Sequence, residues 1–384
     1  MNYYEGMLFF LCLIFILAGG FILGILEISQ NNYILVVSAL LAVFIIGKNK
    51  AALLYFLIFL AASLALPCIY LKLRSSKGRK AGTYHVFLLL AVLPLILCKV
   101  SAVFKGSIFA FTGISYLTFR SAQIIIEIYD GVITEISVKE MAAFLLFFPC
   151  LSSGPIDRSR RFHRDWDRIF KREEYLELCG KGLYKLLLGA VYKMVLAAAA
   201  YKLMTYLDTG TAWFHYIGYA YAYGLYLFFD FAGYSLMVIG TGAVLGVEVP
   251  DNFRLPFISR DIHEFWDRWH ISLSHWFRDY IFTRFIMFST RKKWFANRLS
   301  RACAGFFVNM GIMGIWHGIT PSYIIYGIYH GALLAGTEVY QKKSSFYKKY
   351  KKTGWYSVLS WFITMQLVFL GFFIFSEKWL VLLQ

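Results

Sequence analysis

The sequence predicts an all-α, polytopic membrane protein. Of its 384 residues, 59% are hydrophobic and 19% are aromatic, which is too apolar for a chain of soluble domains. Apolar runs recur along the chain, among them Met7–Ile28, Ala51–Leu71, Gly182–Leu207 and Tyr356–Phe375. Because a helix needs about 20 residues to cross a bilayer, the shorter runs are not simple spans. We therefore expect about 10–12 membrane-embedded segments, some of them re-entrant or interfacial, in a multi-pass protein of the cell membrane.

Basic residues gather between the apolar runs. Lysine and arginine number 39 against 22 acidic residues, a net charge of +17. An excess of positive charge on the cytoplasmic side of membrane helices explains most of these clusters. The alternative is a basic docking face for an acidic partner. No basic run accompanies a nucleic-acid-binding motif, so we expect no nucleic acid partner. The clusters are Lys48–Lys50, Lys72–Lys80, Arg158–Arg172, Arg291–Arg301 and Lys342–Lys352.

Two polar stretches interrupt an otherwise continuous membrane sequence. The chain has no flexible linker, low-complexity tract or internal repeat, which predicts one integral-membrane domain over residues 1–384. Ser152–Glu177 follows a short apolar run and must leave the hydrocarbon. Asp251–Thr283 is dense in charged residues, tryptophan and histidine. A stretch of this composition favours the membrane interface or a water-lined cavity.

The second polar stretch predicts an amphipathic helix from Asp261 to Tyr280. Asp261 would cap its amino end, and Glu264, three residues later, would complete a capping box. Four apolar residues recur at helical spacing and predict its buried stripe: Phe265, Trp269, Leu273 and Trp276.

His270 lies on another face of this predicted helix. Asp267 precedes it by one turn and Ser274 follows it by one turn. Histidine is the natural general base near neutral pH, and an aspartate one turn away would fix its tautomer, as the carboxylate of a catalytic triad does. Arg278, on the same helix, is a further candidate for positioning a substrate. The alternative for His270 is a hydrogen-bonded residue of the interface.

His317 is the second candidate catalytic residue. It lies in GIMGIWHG (311–318), where apolar residues and glycines dominate both sides. Ionisable side chains at membrane depth are costly and by default indicate function. The alternative is a packing histidine bonded to a backbone carbonyl. Asp230, in YLFFDFAGYS, is a further candidate for a supporting or substrate-positioning role, with a structural pair with a buried arginine or lysine as its favoured alternative. A packing role suits His330.

Several other kinds of site find no support in the sequence. His263 and Glu264 begin like a zinc-protease helix, but Asp267 stands where HExxH requires histidine, so we expect no metal. Dinucleotide, P-loop and nucleophile-elbow motifs are also missing. Gly242 with Gly246, and Gly327 with Gly331, have GxxxG spacing, which indicates close helix packing in membranes.

Five blocks of sequence carry a family resemblance. The chain resembles the membrane-bound O-acyltransferase (MBOAT) family over about residues 100–335 and is most similar to its D-alanyl transfer branch. The blocks are GISYLTFRSAQIIIEIYDG (113–131), FFPCLSSGPIDRSRRF (147–162), YLFFDFAGYSLMVIGTGAVLG (226–246), DNFRLPFISRDIHEFWDRWHISLSHWFRDYIF (251–282) and GIMGIWHG (311–318).

The resemblance implies a ring of membrane helices around a thinned centre, with a tunnel that joins the two sides. The family's near-invariant histidine corresponds to His317, and its second active-site position corresponds to His270. In this branch the donor is D-alanine on the phosphopantetheine thioester of a small acidic carrier protein, so no cofactor is bound by the chain itself. The acceptor is a hydroxyl of lipoteichoic acid or of a partner membrane protein.

These implications predict an acyltransferase in which His317 deprotonates the acceptor hydroxyl. His270 would position a substrate or stabilise the oxyanion. Three alternatives stay open at this point. They are an O-acetyltransferase for an exported polysaccharide, a proton-coupled transporter or flippase, and a non-catalytic scaffold for the carrier.

Overall fold

The predicted all-α class is confirmed in a computed structural model, which describes residues 4, 6–104 and 109–383. Within these residues the regular structure is helical, apart from one isolated antiparallel bridge between Phe253 and Trp269. The chain divides into two compact units. The first comprises Met1–Ala190 and Tyr234–Pro250, and the second comprises Val191–Gly233 and Asp251–Gln384. The prediction of one domain over residues 1–384 stays a prediction.

Helices α1 to α8 belong to the first half of the chain. They are α1 Met7–Ile25, α2 Asn31–Ile46, α3 Lys50–Lys77, α4 Ala81–Phe104, α5 Ile114–Asp130, α6 Val138–Leu146, α7 Ser159–Trp166 and α8 Arg172–Val191. A 3₁₀ turn, Phe148–Cys150, follows α6, and a π-helical turn, Tyr192–Leu196, joins α8 to the next helix.

Helices α9 to α17 complete the described chain. They are α9 Ala197–Asp208, α10 Trp213–Val244, α11 Ile262–Trp266, α12 Ile271–Phe277, α13 Thr283–Arg291, α14 Arg298–His317, α15 Pro321–Lys343, α16 Ser345–Tyr350 and α17 Gly354–Phe375. A π-helical turn, Arg278–Phe282, links α12 to α13, and 3₁₀ turns occupy Pro256–Ile258 and Lys378–Leu383.

Seven helical segments among the described residues are long and apolar enough to cross a membrane. They are α1, α3, α4, the continuous run Arg172–Asp208, α10, α14 and α17. The multi-pass membrane protein that the composition predicted is thereby confirmed. Other apolar runs form shorter helices, such as the 16 residues of α2. The total of about 10–12 embedded segments, the ring of helices and the tunnel stay predictions.

Helix α5 is the buried centre of the first unit. Its Arg120 is 1% exposed and donates to the carbonyl oxygens of Phe144 (2.8 Å), Leu145 (3.3 Å) and Cys150 (3.1 Å). Carbonyls at the end of a helix have no partner within it, and α6 ends at Leu146. The guanidinium thus satisfies two carbonyls at the end of α6 and a third, that of Cys150, in the turn that follows.

The polar stretch that begins at Ser152 forms α7 and the start of α8, and its exit from the hydrocarbon stays a prediction. Helix α7 buries Phe162 and Trp166 and carries Arg161 between two carboxylates. The Arg161 guanidinium pairs with Asp157 and with Asp165, the latter at 2.9 Å. Because its charge is paired with these carboxylates, Arg161 can lie beside the buried apolar face of α7.

Glycines set the close packing of α14 on α15 in the second unit. A Cβ on Gly314 would lie 2.4 Å from the Tyr323 carbonyl oxygen, and one on Gly327 would lie 2.5 Å from the Met310 carbonyl. Gly331 faces Phe307 in the same way, so the predicted role of Gly327 and Gly331 is confirmed. The prediction for Gly242 was wrong, because that residue packs on Val247 and Val249, just after its own helix, where the chain turns back.

Candidate active site

His270 interrupts the helix that the sequence predicted from Asp261 to Tyr280. Helix α11 ends at Trp266, α12 begins at Ile271, and His270 between them has φ 45° and ψ 52°. A left-handed conformation costs a non-glycine residue about 1–2 kcal/mol. The prediction of one continuous helix was therefore wrong, although the four residues of its apolar stripe are all buried. The Asp261 cap is confirmed, because its carboxylate accepts from the Glu264 backbone N–H. The Glu264 carboxylate accepts from the backbone N–H of Arg260 instead of that of Asp261, one residue away from the pairing that a capping box requires.

Contacts from the preceding loop stabilise the strained turn. The Asn252 carbonyl accepts from the backbone N–H of Ile271 at 2.8 Å. The Asn252 side-chain oxygen accepts from the Ser272 hydroxyl at 2.6 Å and from its backbone N–H at 3.3 Å. The Phe253–Trp269 bridge adds backbone pairing just before the turn. These bonds compete with helical ones, which is why periodicity alone did not reveal the break.

The side chain of His270 lies in an apolar environment. It is 6% exposed, and its ring lies 4.7 Å from the ring of Phe231. Burial, and secondarily the charge of His317, lowers the pKa of His270 to about 3. The imidazole is therefore neutral at physiological pH. A neutral imidazole donates through one ring nitrogen and accepts through the other.

His317 is the last residue of α14 and is half-buried among aromatic rings. Its ring centroid lies 4.5 Å from that of Trp316, 5.0 Å from Phe375, 6.1 Å from Tyr326 and 6.2 Å from Tyr323. Its charge acts on the pKa of His270. The two histidines that the sequence singled out therefore lie in the same unit, near enough for the charge of one to act on the other.

A cavity of about 250 Å³ in the same unit is lined by the other polar candidates of the second polar stretch. Ser274, Arg278 and Asp267 all line it, together with apolar residues of α14 such as Met313. Ser274 donates its hydroxyl to the Trp269 carbonyl at 3.2 Å. The volume is near the lower end of the range for small-ligand pockets, about 300 Å³.

Asn309 is a polar residue of this cavity that the sequence analysis missed. It is 8% exposed, and its side-chain nitrogen lies 3.8 Å from the sulfur of Met310. Its side-chain oxygen has no hydrogen-bond partner in the described part of the chain. A buried acceptor of this kind costs about 1–3 kcal/mol unless a ligand or water satisfies it. A single polar residue inside the apolar run GFFVNMGIMG was the available signal.

Asp267 does not occupy the position predicted for it. Its side chain is 61% exposed, and its carboxylate lies 4.0 Å from the Arg278 guanidinium. Arg278 also contacts the Asp279 carboxylate at 3.2 Å. The expectation that Asp267 orients His270 depended on helical spacing, which the turn at His270 removes. The structure instead places Asp267 beside Arg278 at the cavity wall.

Two secondary assignments from the sequence are confirmed. Asp230 pairs with the ammonium of Lys193, as the structural interpretation predicted. His330 is 1% exposed and accepts a hydrogen bond from the Trp266 indole at 3.3 Å, in keeping with a packing role.

Comparison with known proteins identifies the family to which the chain belongs. The sequence model of the membrane-bound O-acyltransferase family matches residues 76–376. This chain belongs to that family. The match begins before and ends after the region of about 100–335 that the motifs indicated, and it includes both histidines. As a member of the MBOAT family, the chain is an acyltransferase.

Named relatives of this MBOAT protein fall into two groups. It is 36% identical to a teichoic acid D-alanyltransferase of Bacillus subtilis, over 98% of both chains. It is 40% identical to one of Streptococcus thermophilus, over 86% of this chain and 84% of the relative. A Pseudomonas syringae protein named "Probable alginate O-acetylase AlgI" is 33% identical over 69% of this chain, but only 49% of that relative is covered.

Proposed function

We propose that this acyltransferase moves D-alanine from the thioester of a carrier protein towards hydroxyl groups of lipoteichoic acid. The observation that carries the proposal is the 36% identity to a teichoic acid D-alanyltransferase over 98% of both chains. The acceptor is the polymer itself or a hydroxyl of a partner membrane protein that passes the acyl group on.

His317 is the proposed general base. Its imidazole takes the proton of the acceptor hydroxyl, and the oxygen attacks the thioester carbonyl carbon. A carbon–oxygen bond forms and the carbon–sulfur bond breaks. The proton held by His317 then passes to the departing thiolate. A thioester is already activated, so the step uses neither a metal nor a protein nucleophile.

His270 is proposed to stabilise the oxyanion as a neutral hydrogen-bond donor. With its pKa lowered to about 3 by burial and by the charge of His317, it is a weak base. General bases work best with a pKa near the working pH, so a strongly lowered pKa makes His270 unsuited to that role. The hydrogen bonds from Asn252 hold the backbone directly after His270, and a fixed donor is what oxyanion stabilisation requires.

The 250 Å³ cavity is proposed to hold part of the donor's phosphopantetheine arm. That arm is linear and carries amide groups. The unsatisfied oxygen of Asn309 accepts an amide N–H, while Ser274 and Arg278 provide further polar contacts. Such contacts would place the thioester close to the acceptor and supply the proximity contribution to the rate. The basic clusters would attract an acidic carrier.

A donor-competition assay tests the proposed reaction. Proteoliposomes of the full chain receive carrier protein loaded with ¹⁴C-D-alanine and, in parallel, the same carrier loaded with ¹⁴C-acetate, with teichoic acid as acceptor. We expect label on the acceptor from the D-alanyl donor alone. Equal or preferential acetyl transfer would favour the O-acetylase relatives instead.

A further inference from the structure

A cavity of about 450 Å³ lies at one end of α15 and α17, beside the short helix α16. Two cations line it, Arg260 and Lys351, with the aromatic side chains of Tyr347 and Tyr356. The Lys351 ammonium lies 5.5 Å from the centroid of the Tyr347 ring. None of these residues belongs to the proposed acyl-transfer site.

Arg260 is held firmly at this cavity. Its carbonyl accepts hydrogen bonds from the Ser360 hydroxyl at 2.5 Å and the Thr364 hydroxyl at 3.0 Å, both on α17. Its backbone N–H donates to the Glu264 carboxylate at 2.8 Å. A guanidinium on a fixed backbone is preorganised for an anion, and it matches phosphate geometry in particular.

The charge around the cavity favours an anionic ligand. From Val339 to Ser376 the sequence has no acidic residue, whereas Lys342–Lys352 includes six lysines. Two acids also line the cavity: the charge of Glu264 is paired with Arg268, while Asp261 is hydrogen-bonded as the cap of α11. Asp261 accepts from Gln341 at 3.0 Å, and Glu264 pairs with Arg268 at 2.8 Å.

Two basic clusters place the cavity at one end of the membrane helices. Helices α14 and α15 run antiparallel, since Cys303 contacts the Ala335 carbonyl at 3.8 Å and Gly314 packs on Gly327. The clusters Arg291–Arg301 and Lys342–Lys352 therefore share one end, and we infer from the positive-inside rule that this end is cytoplasmic, although the clusters at the two ends of α3 cannot both obey that rule.

Two large, exposed aromatic side chains lie at the same end of the helices as the Lys342–Lys352 cluster. Phe346 and Trp355 are 45% and 49% exposed, and Trp355 lies at the start of the span-length helix α17. Exposed aromatic residues beside lysines are typical of the membrane–water interface.

We propose that this cavity binds the phosphate headgroup of an anionic phospholipid of the cytoplasmic leaflet. Arg260 and Lys351 contact the phosphate, and the acyl chains extend along the apolar surface between α15 and α17. Basic pockets between membrane helices on the cytoplasmic side commonly bind such headgroups. The site anchors the end of α17 independently of acyl transfer.

Lipid titration of the purified full chain in neutral detergent tests this site. Microscale thermophoresis measures Kd for dioctanoyl phosphatidylglycerol, dioctanoyl phosphatidylcholine and inorganic phosphate. We expect preference for phosphatidylglycerol and, in Arg260→Gln/Lys351→Gln, roughly 30-fold weaker binding of that lipid. This corresponds to about 2 kcal/mol, about 1 per cation. The charge-preserving pair Arg260→Lys/Lys351→Arg should stay within about threefold of wild type, which separates charge loss from misfolding.

A pair of lysines on α3 provides the matched control. Lys72→Gln/Lys77→Gln removes two exposed charges from α3, in the other unit, and should leave lipid affinity within about twofold. An equal loss in that control would mean diffuse attraction and would overturn the site. Tight binding of inorganic phosphate alone would also overturn it, as would loss of carrier binding with unchanged lipid affinity in the Arg260/Lys351 variant.

Discussion

The side-chain oxygen of Asn252 accepts hydrogen bonds from both the hydroxyl and the backbone N–H of Ser272, at 2.6 and 3.3 Å. With the bond from Ile271 to the Asn252 carbonyl, this contact fixes the residues directly after His270. The left-handed backbone of His270 is sustained by these bonds. Strain that surrounding contacts hold in place is a common feature of functional sites.

Replacing Asn252 by alanine should misplace His270. We expect a loss of about 1–3 kcal/mol of stability, because buried groups of Ser272 lose their acceptor. We also expect a fall in kcat of roughly tenfold or more, since an oxyanion donor must be placed accurately. Thermal unfolding in detergent and the D-alanine transfer assay measure the two effects.

Asn49→Ala is the control for Asn252→Ala. Asn49 caps α3 in the other unit by accepting from Ala51 and Ala52, and loss of such a cap costs about 1 kcal/mol. Lower stability with unchanged kcat is expected for this variant. If the two variants lose activity in equal proportion to stability, the clamp has no specific role.

The buried His270 predicts a dependence of stability on pH. Burial and the charge of His317 lower its pKa to about 3, whereas an unfolded histidine titrates near 6.5. Between these values the unfolded state alone binds the proton, so stability falls as the pH falls below about 6.5 and is fully present above it. Relative to His270→Gln, wild type should lose about 1.4 kcal/mol per pH unit between pH 6 and 4. Parallel melting curves of the two proteins would contradict the buried, neutral state.

Asn309 is predicted to act on donor binding. Asn309→Leu keeps a similar volume but removes the buried acceptor that lines the 250 Å³ cavity. We expect KM for the loaded carrier to rise roughly tenfold with little change in kcat, and thermal stability to be equal or higher. Loss of stability with unchanged KM would assign the residue to packing.

Replacing Asp267 tests whether its carboxylate orients His270, as the sequence predicted, or lies exposed beside Arg278, as in the structure. If it oriented His270 as a triad carboxylate does, Asp267→Asn would lower kcat by about 10⁴-fold. Because the carboxylate is exposed beside Arg278, we expect a change in KM of less than about threefold and an unchanged kcat. Steady-state kinetics at saturating carrier decide between the two.

Periodicity and composition predicted the features that depend on residues close together in the sequence. Apolar runs located the span-length helices, and the buried stripe from Phe265 to Trp276 was correctly identified. The likeness of the blocks around His270 and His317 identified the family over most of the chain. These features depend on residues close together in sequence.

The rest depends on contacts between distant residues. The break at His270 is stabilised by Asn252. The side-chain oxygen of Asn309 becomes a buried acceptor without a partner only because α14 packs against its neighbours around the cavity. Asp267 was misplaced for the same reason, since α11 ends at Trp266 and the left-handed His270 removes the helical spacing that would have brought the two side chains to one face. Spacing along one helix could not anticipate these tertiary bonds.

The catalytic role of His317 is the central claim, and a single-turnover assay of His317→Ala tests it most directly. Carrier loaded with ¹⁴C-D-alanine is bound to proteoliposomes of wild type, His317→Ala and the exposed-histidine control His85→Ala. Bound carrier and transferred label are counted in the same samples. We predict unchanged carrier binding in all three and a loss of transfer of about 100-fold or more in His317→Ala alone. Wild-type transfer by His317→Ala at equal carrier occupancy would contradict the account.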